Sequence, residues 1–475
     1  MTEAIVVGAG PNGLAAAVTL ARAGVHVTVL EAAATIGGGT RSEELLVPGV
    51  LHDICSAVHP FGAASPALAA LDLERHGLRW RYADIDLAHP LDGGRAGTMV
   101  RSLDDTAAGF DADGPAWRRA FGPIVERYDD VVAEIFRPIL HVPRHPVTLA
   151  RFGLRALQPA TVFARRFRTT EARALYAGIT AHTFQPLTRP TTSAAGVMFV
   201  GAAHTTGWPV AEGGSRAITG ALASLLAELG GTIETGVHVQ ARRDLPRHDA
   251  LLLDVAPRHA AGILGDELPA RVRRAYESFA HGPGSFKVDL VVDGEVPWTN
   301  DACRRAGTVH CGGTLEEIAT AEAEAYRGRM PERPFVLVGQ QHLADPGRSK
   351  GSLHPLWAYA HVPSRFDGDA TEAILRQLER FAPGLRERVV AITAKGPADL
   401  EAANPNYVGG DIATGANTPW QAVMRPRMAI DPYATGVDGV YLCSAATPPG
   451  AGVHGMCGAH AAASALRGLG GNPIR

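Results

Sequence analysis

Cysteine is scarce in this chain, and so is net charge. Its 475 residues hold five cysteines, Cys55, Cys303, Cys311, Cys443 and Cys457. They are odd in number, widely spread and contain no C-x-x-C, which excludes a disulfide framework and a dithiol redox pair. Lys plus Arg number 45 against 48 Asp plus Glu, for a net charge of -3. That balance lacks the basic excess of nucleic-acid binders, so no nucleic-acid partner is expected. No apolar run approaches the roughly 18 residues of a membrane-spanning helix. Histidine-cysteine metal spacing, a G-x-S-x-G elbow and a phosphate-binding lysine loop are all missing, so no metal is expected. The start, "MTEAIVVGAG", enters an apolar strand with no basic region or cleavage site before it, and a cytoplasmic protein is expected. What is present, 46% hydrophobic and 20% charged residues, is the composition of a globular protein. The length predicts two domains.

The strongest local signal is "AIVVGAGPNGLAAAVTLARAGVHVTVLEA". It predicts a strand (4–7), a glycine turn, a helix (13–23), a second strand (26–30) and then Glu31. Gly8 permits the tight turn, Gly10 admits a diphosphate against the backbone, and Gly13 lets the helix pack on the sheet. Pro11 and Asn12 lie inside that turn, where the helix N-terminus faces the phosphates. Glu31 stands where an acid accepts ribose hydroxyls. This unit alone leaves FAD and NAD both open. The next loop, "ATIGGGTRSEEL", favours FAD, because Gly37, Gly38 and Gly39 lead to Thr40 and Arg41, a second backbone approach with a cation beside it.

Further along, residues 73 onward read as helices rich in Ala, Leu and Arg, interrupted by proline, and look like an insertion. An α/β rhythm returns with a helix over 215–229, a strand leading to Val237 and Val239, and strands at 250–255, "SFKVDLVVD", "LWAYAHVP" and "GVYLCSA". With "GAGPNGLAAA", "HDICSAVHPFG", "GWPVAEGGS", "GTVHCGGTLEEI", "ANPNYVGGDI" and "YLCSAATPPGAGVHGMCG", the chain resembles phytoene desaturase-like FAD oxidoreductases of the flavin amine oxidase superfamily. The resemblance is to the branch labelled pyridine nucleotide-disulfide oxidoreductase domain-containing, and it spans nearly the whole length. The paired cysteines of disulfide reductases are absent.

The resemblance implies an α/β chain: a Rossmann-type FAD-binding domain with an inserted mixed α+β substrate domain. The expected division is 1–72, 205–295 and 400–475 for FAD, and 73–204 and 296–399 for the substrate domain and its helical lid. FAD is expected on Gly8, Gly10, Pro11, Asn12, Gly13, Glu31, Gly38, Gly39, Thr40, Arg41, Val239, Ala445, Gly452, Val453 and His454. Gly450, Gly452 and Gly455 also spell G-x-G-x-x-G, but no second strand and acid follow at the required distance, so a second nucleotide site is not expected. That loop is implied instead to lie under the flavin, with the last helix aimed at its pyrimidine end. Amine oxidases of the superfamily carry a caging aromatic there, whereas Gly450, Ala451 and Gly452 stand in this chain.

His59 and His454 are the candidate acid/base residues, with His204 a third. Each can equally be a structural histidine, and hydride transfer to flavin can run without a side-chain base. Residues 137–173 carry eight arginines against one acid, Glu171, interleaved with apolar residues. Such a stretch reads as a solvated helix face or as peripheral membrane contact. The expected activity is desaturation, saturation or isomerisation of carbon–carbon bonds in an apolar isoprenoid-like or acyl substrate, with oxygen or a quinone as electron acceptor. An amine or amino-acid-type oxidase and a flavin-holding binding or assembly protein are the alternatives.

Overall fold

The apolar run Glu3–Val7 forms the centre of a five-stranded sheet in the computed structural model, which describes residues 2–470. His26–Glu31 and Ala250–Leu253 pair with it on either side, Thr232–Thr235 extends one flank and Val440–Leu442 the other. Every pairing is parallel, so all five carboxyl ends lie at one edge. In such sheets the edge at the carboxyl ends is the binding edge. The first helix, Pro11–Arg22, begins there, and the last, Met456–Gly468, packs across its start. Contact between them is close, since a Cβ on Gly458 would stand 1.8 Å from the carbonyl oxygen of Asn12.

A second, seven-stranded sheet runs in the order 389–395, 284–293, 353–362, 336–339, 306–311, 85–90, 96–99. It is antiparallel except where 306–311 pairs parallel with 85–90. Gly284–Asp293, expected with the nucleotide domain, is an interior strand of this sheet, paired with Leu353–Val362 over ten residues. Its pattern explains the mistaken placement. In sequence Phe286, Val288 and Leu290 alternate with Ser285, Lys287 and Asp289, which marks a strand without saying which sheet holds it. The strand Thr232–Thr235 ends before Val237 to Val239, which form the loop beyond it.

Helices between residues 103 and 205 cover the second sheet around a core of Trp117, Phe121, Phe163 and Tyr176. His204 belongs to this core. Its Nε2 accepts the Trp117 indole N–H at 3.1 Å and its Nδ1 donates to the Arg101 carbonyl at 3.2 Å, which is a structural use of both nitrogens. The five cysteines are buried and free. Among the described residues no helix is long and apolar enough to cross a membrane.

Candidate functional site

The carboxyl edge of the parallel sheet opens into a cavity of about 810 Å³ that runs on toward the second sheet. That volume is at the upper end of the range for ligand pockets, about 300–1,000 Å³. Gly8, Gly10, Pro11, Asn12, Glu31, Gly38, Gly39 and Arg41 line one end, together with Val239. Ala445, Gly452 and Val453 line it from the C-terminal loop.

Close packing explains the glycines at the turn. Gly8 has φ +105°, a conformation that side chains disfavour, and a Cβ on Gly13 would lie 2.0 Å from the Gly8 carbonyl oxygen. Gly38 rests on the same turn, its Cβ position 3.2 Å from the Gly10 Cα, so the two glycine loops stack. Glu31 accepts the Ala9 and Ala33 N–H groups at 2.8 and 2.9 Å and meets Arg41 at 3.4 Å. A carboxylate has about four acceptor positions and Oε1 already uses two, so Oε2 keeps one for a ribose hydroxyl. Thr40 and Gly13 do not line the cavity. Thr40 ties the loop through the Gly37 carbonyl, and the Gly13 N–H is taken by Asp254.

Asp254 is a residue the sequence reading missed. It follows the strand Ala250–Leu253 and accepts the Gly13 N–H at 2.8 Å, directly beneath the turn. Burial pushes its carboxyl up to about 7, against the downward pull of the Gly13 N–H and with a further upward push from Glu31. A diphosphate over the same turn disfavours the carboxylate further. A dinucleotide bound there above neutrality would then take up a proton, and its affinity should fall as pH rises through 7, by up to about tenfold per unit. Asp254→Asn keeps an acceptor for Gly13 and removes the charge. It is expected to bind FAD more tightly at pH 8 and to flatten the pH profile, measured by FAD titration of the apoprotein between pH 6 and 9. An unchanged slope would refute the linkage. The one available signal was an acid placed immediately after an apolar parallel strand, at the binding edge.

The two histidines expected to transfer protons are turned elsewhere. His59 is buried and donates its Nε2–H to Ser215 Oγ at 2.8 Å, which in turn donates to the Ser56 carbonyl at 2.7 Å. Burial holds its imidazole down at about 4. His454 accepts the Met456 N–H through Nδ1 at 3.1 Å and packs its ring 5.4 Å from that of Phe136. It supports the start of the last helix, and burial likewise holds it at about 4. Neither side chain lines the cavity; His182 does.

The far end of the cavity is aromatic and apolar. Phe199, Trp208, Leu337, Trp357, Tyr359 and Ile412 line it with His182. Trp208 donates its indole N–H to Thr308 at 2.9 Å, and Trp357 and Tyr359 meet edge to face at 5.1 Å. Behind Trp357 a buried Lys287 pairs with Asp289, which lies 3.5 Å from His52 Nδ1. Among the described lining residues the carboxylates are Glu31 and Asp254, both at the nucleotide end. The missing aromatic of the C-terminal loop is thus not a missing aromatic chamber. Its walls come from the helix Ser193–Thr205, the segment after it and the second sheet.

The domain family described as an NAD(P)-binding Rossmann-like domain matches residues 6–71. Over 98% of its length the chain is similar to pyridine nucleotide-disulfide oxidoreductase domain-containing protein 2 of Mus musculus, at 25% identity and with 94% of that protein covered. Its structure is similar to that of an oxidoreductase from Methanosarcina mazei, with a TM-score of 0.63, 15% identity, and 98% of this chain and 100% of the other covered. It is also similar to cyclohexylamine oxidase from Brevibacterium oxydans, with a TM-score of 0.57, 15% identity and 99% of each chain covered. The chain therefore has the α/β fold of these solved structures, a Rossmann-like domain joined to a domain built on the second sheet.

Proposed function

We propose that the protein is an FAD-dependent oxidoreductase acting on carbon–carbon bonds of an apolar, isoprenoid-like or acyl substrate. One observation carries this reading: a single cavity joins the glycine turn and Glu31 to an aromatic chamber that holds no carboxylate among its described residues. The turn fits a dinucleotide's diphosphate in shape, since its glycines leave the backbone bare. Bound FAD would supply two-electron exchange with the substrate. The chain's own part is to hold the diphosphate on Gly8 to Asn12, the ribose on Glu31, and the substrate against Phe199, Trp208, Trp357 and Tyr359. An ammonium group in that chamber would be buried without a counter-ion, which is costly. Aromatic faces do attract cations, and this keeps an amine oxidase as the second reading.

The deciding experiment is anaerobic mixing of the FAD-loaded protein, oxidised and photoreduced, with a panel of polyenes, acyl chains and amines. Bleaching of the oxidised flavin, or reoxidation of the reduced flavin, by polyenes or acyl chains alone is the expected result. A response to amines alone would replace this reading with the second, and no response from any compound would favour a binding role. Only one glycine turn with its flanking strands and acid is present among the described residues, and the Gly450 to Gly455 glycines form the loop at the cavity. Oxygen or a quinone, rather than a tightly bound NADPH, is therefore the proposed electron partner.

The basic insertion is proposed to dock on an anionic lipid bilayer. Ile139, Leu140, Val142, Val147, Leu154, Leu157 and Val162 are exposed among the arginines, Val142 at 90% and Leu154 at 72%. At its root Phe136 packs edge to face on Phe61 at 5.5 Å, and Phe61 stacks on the chamber residue Phe199 at 4.2 Å. An apolar path thus joins this surface to the chamber wall. Cosedimentation with phosphatidylglycerol vesicles but not with phosphatidylcholine vesicles is expected, weakened in Leu140→Glu/Leu154→Glu. Absence of binding to either vesicle at low salt would refute the surface assignment.

A further inference from the structure

In an otherwise aromatic chamber His182 offers an imidazole nitrogen. Its Nε2 meets His310 Nε2 at 3.3 Å, while its Nδ1 has no hydrogen-bond partner in the chain and is not among the fully buried unpaired atoms. That Nδ1 is therefore accessible from the cavity that His182 lines. Behind it three further histidines cluster in the core between the helix Thr170–Ala181 and the second sheet: His310, His89 and His361. A buried cluster of this kind leaves few choices of tautomer.

The choice begins at a backbone carbonyl. His89 Nε2 lies 2.7 Å from the Gly313 carbonyl oxygen, which only accepts, so Nε2 carries the hydrogen and Nδ1 is a bare lone pair. His310 Nδ1 faces the same place. Both Nδ1 atoms are buried without a partner, and each lies 2.8 Å from the point where a Cβ on Gly178 would stand. The lone pair on His89 Nδ1 favours a hydrogen, rather than a second lone pair, on His310 Nδ1. Its Nε2 is then an acceptor, and the contact with His182 requires His182 to donate from Nε2. The remaining nitrogen, His182 Nδ1, is left as a lone pair toward the chamber. His361 does not compete, because its Nδ1–H is held by Glu322 at 2.8 and 2.9 Å. Burial keeps His182 down at about 3 and His89 down at about 4, so both rings are neutral at physiological pH.

We infer that His182 Nδ1 accepts a hydrogen bond from a hydroxyl group on the substrate, with its tautomer set through His310 by His89 and the Gly313 carbonyl. The ligand class is an apolar body carrying an alcohol or phenol, and the inference rests on the apolar-substrate reading above. An ether or a ketone of the same shape presents only lone pairs to a lone pair and is disfavoured. The Tyr359 hydroxyl also lacks a partner in the chain and must be separated from His182 by experiment.

The probes are the isoprenoid alcohol farnesol and its methyl ether, titrated calorimetrically into the FAD-loaded protein without oxygen. The wild-type protein should prefer the alcohol by about three- to tenfold, the scale of one hydrogen bond. His182→Phe should lose that preference and bind the ether at least as well, and His310→Phe should reduce it by releasing the tautomer. Tyr359→Phe should keep it. Equal binding of the two probes by the wild type would overturn the inference alone, as would a preference that survives in His182→Phe or disappears only in Tyr359→Phe. Failure of both probes to bind would instead overturn the apolar-substrate reading, and the inference with it.

Discussion

Gly13→Ala should purify without FAD. The added Cβ would stand 2.0 Å from the Gly8 carbonyl oxygen and 3.0 Å from Asp254 Oδ2. The first of these is backbone at the end of a buried strand, flanked by parallel neighbours on both sides, and it cannot swing aside as a side chain would. Relief requires the helix to lift from the turn, which removes the close approach that a diphosphate needs. A loss of affinity of about 100-fold or more is expected, equal to ~2.7 kcal/mol. Gly220→Ala is the control, since its Cβ would meet nothing within 4 Å and it stands on the helix Arg216–Glu228, away from the turn. The measurement is flavin absorbance per chain after gel filtration, with far-UV circular dichroism to show that both variants are folded. A full flavin complement in Gly13→Ala would sink the assignment of the turn.

The turn was legible because its determinants are local. Strand, glycines, helix and acid lie within residues 3–31, and each is demanded by the one before it. The chamber was not legible for the opposite reason. His182, Trp208, Trp357 and Tyr359 come from three separate stretches of chain, and each sits in a sequence that reads as ordinary core. Trp357 and Tyr359 alternate with Ala358 and Ala360 along one strand, which fixes a shared face but says nothing of what that face meets. Sequence motifs favoured His59 and His454 because they stand beside glycine and proline in irregular segments. The structure shows those loops to be tightly packed, so their histidines are hydrogen-bonded into walls while His182, at the end of a helix, reaches the space. The strand Gly284–Asp293 shows the same limit at the level of domains. Hydrophobic pattern identifies a buried strand, and only pairing over distance says which sheet buries it.

Arg348 illustrates how such distant pieces are held, and its removal should cost the most stability. It is fully buried and pairs with Asp53 Oδ2 at 2.5 Å and Asp345 Oδ2 at 3.0 Å, while donating to the Ala211 carbonyl at 2.8 Å. Asp53 Oδ1 accepts from Ser42 and from the Ser215 N–H at 2.7 and 2.8 Å. One guanidinium thus joins the segments quoted for the family resemblance, "HDICSAVHPFG" and "GWPVAEGGS", to a loop of the substrate domain. Burial pushes the Asp53 carboxyl up, yet Arg348 and the two hydrogen bonds overcome it and the net shift is downward. In the wild type this carboxylate therefore contributes stability above its unfolded value near 4, and that contribution is lost as pH falls through the lower, folded value. Arg348→Met leaves Asp53 and Asp345 buried without their cation, a loss of about 3–5 kcal/mol. With the opposing charge gone, burial dominates and the folded value of Asp53 rises, so the variant regains stability by protonation as pH falls. The gap in thermal midpoint between wild type and variant should therefore be widest at pH 7 to 8 and should narrow toward pH 5. Coincident melting curves at pH 7.5 would show that Arg348 holds nothing together, and a gap that does not change with pH would show that the buried carboxylates are not its cause.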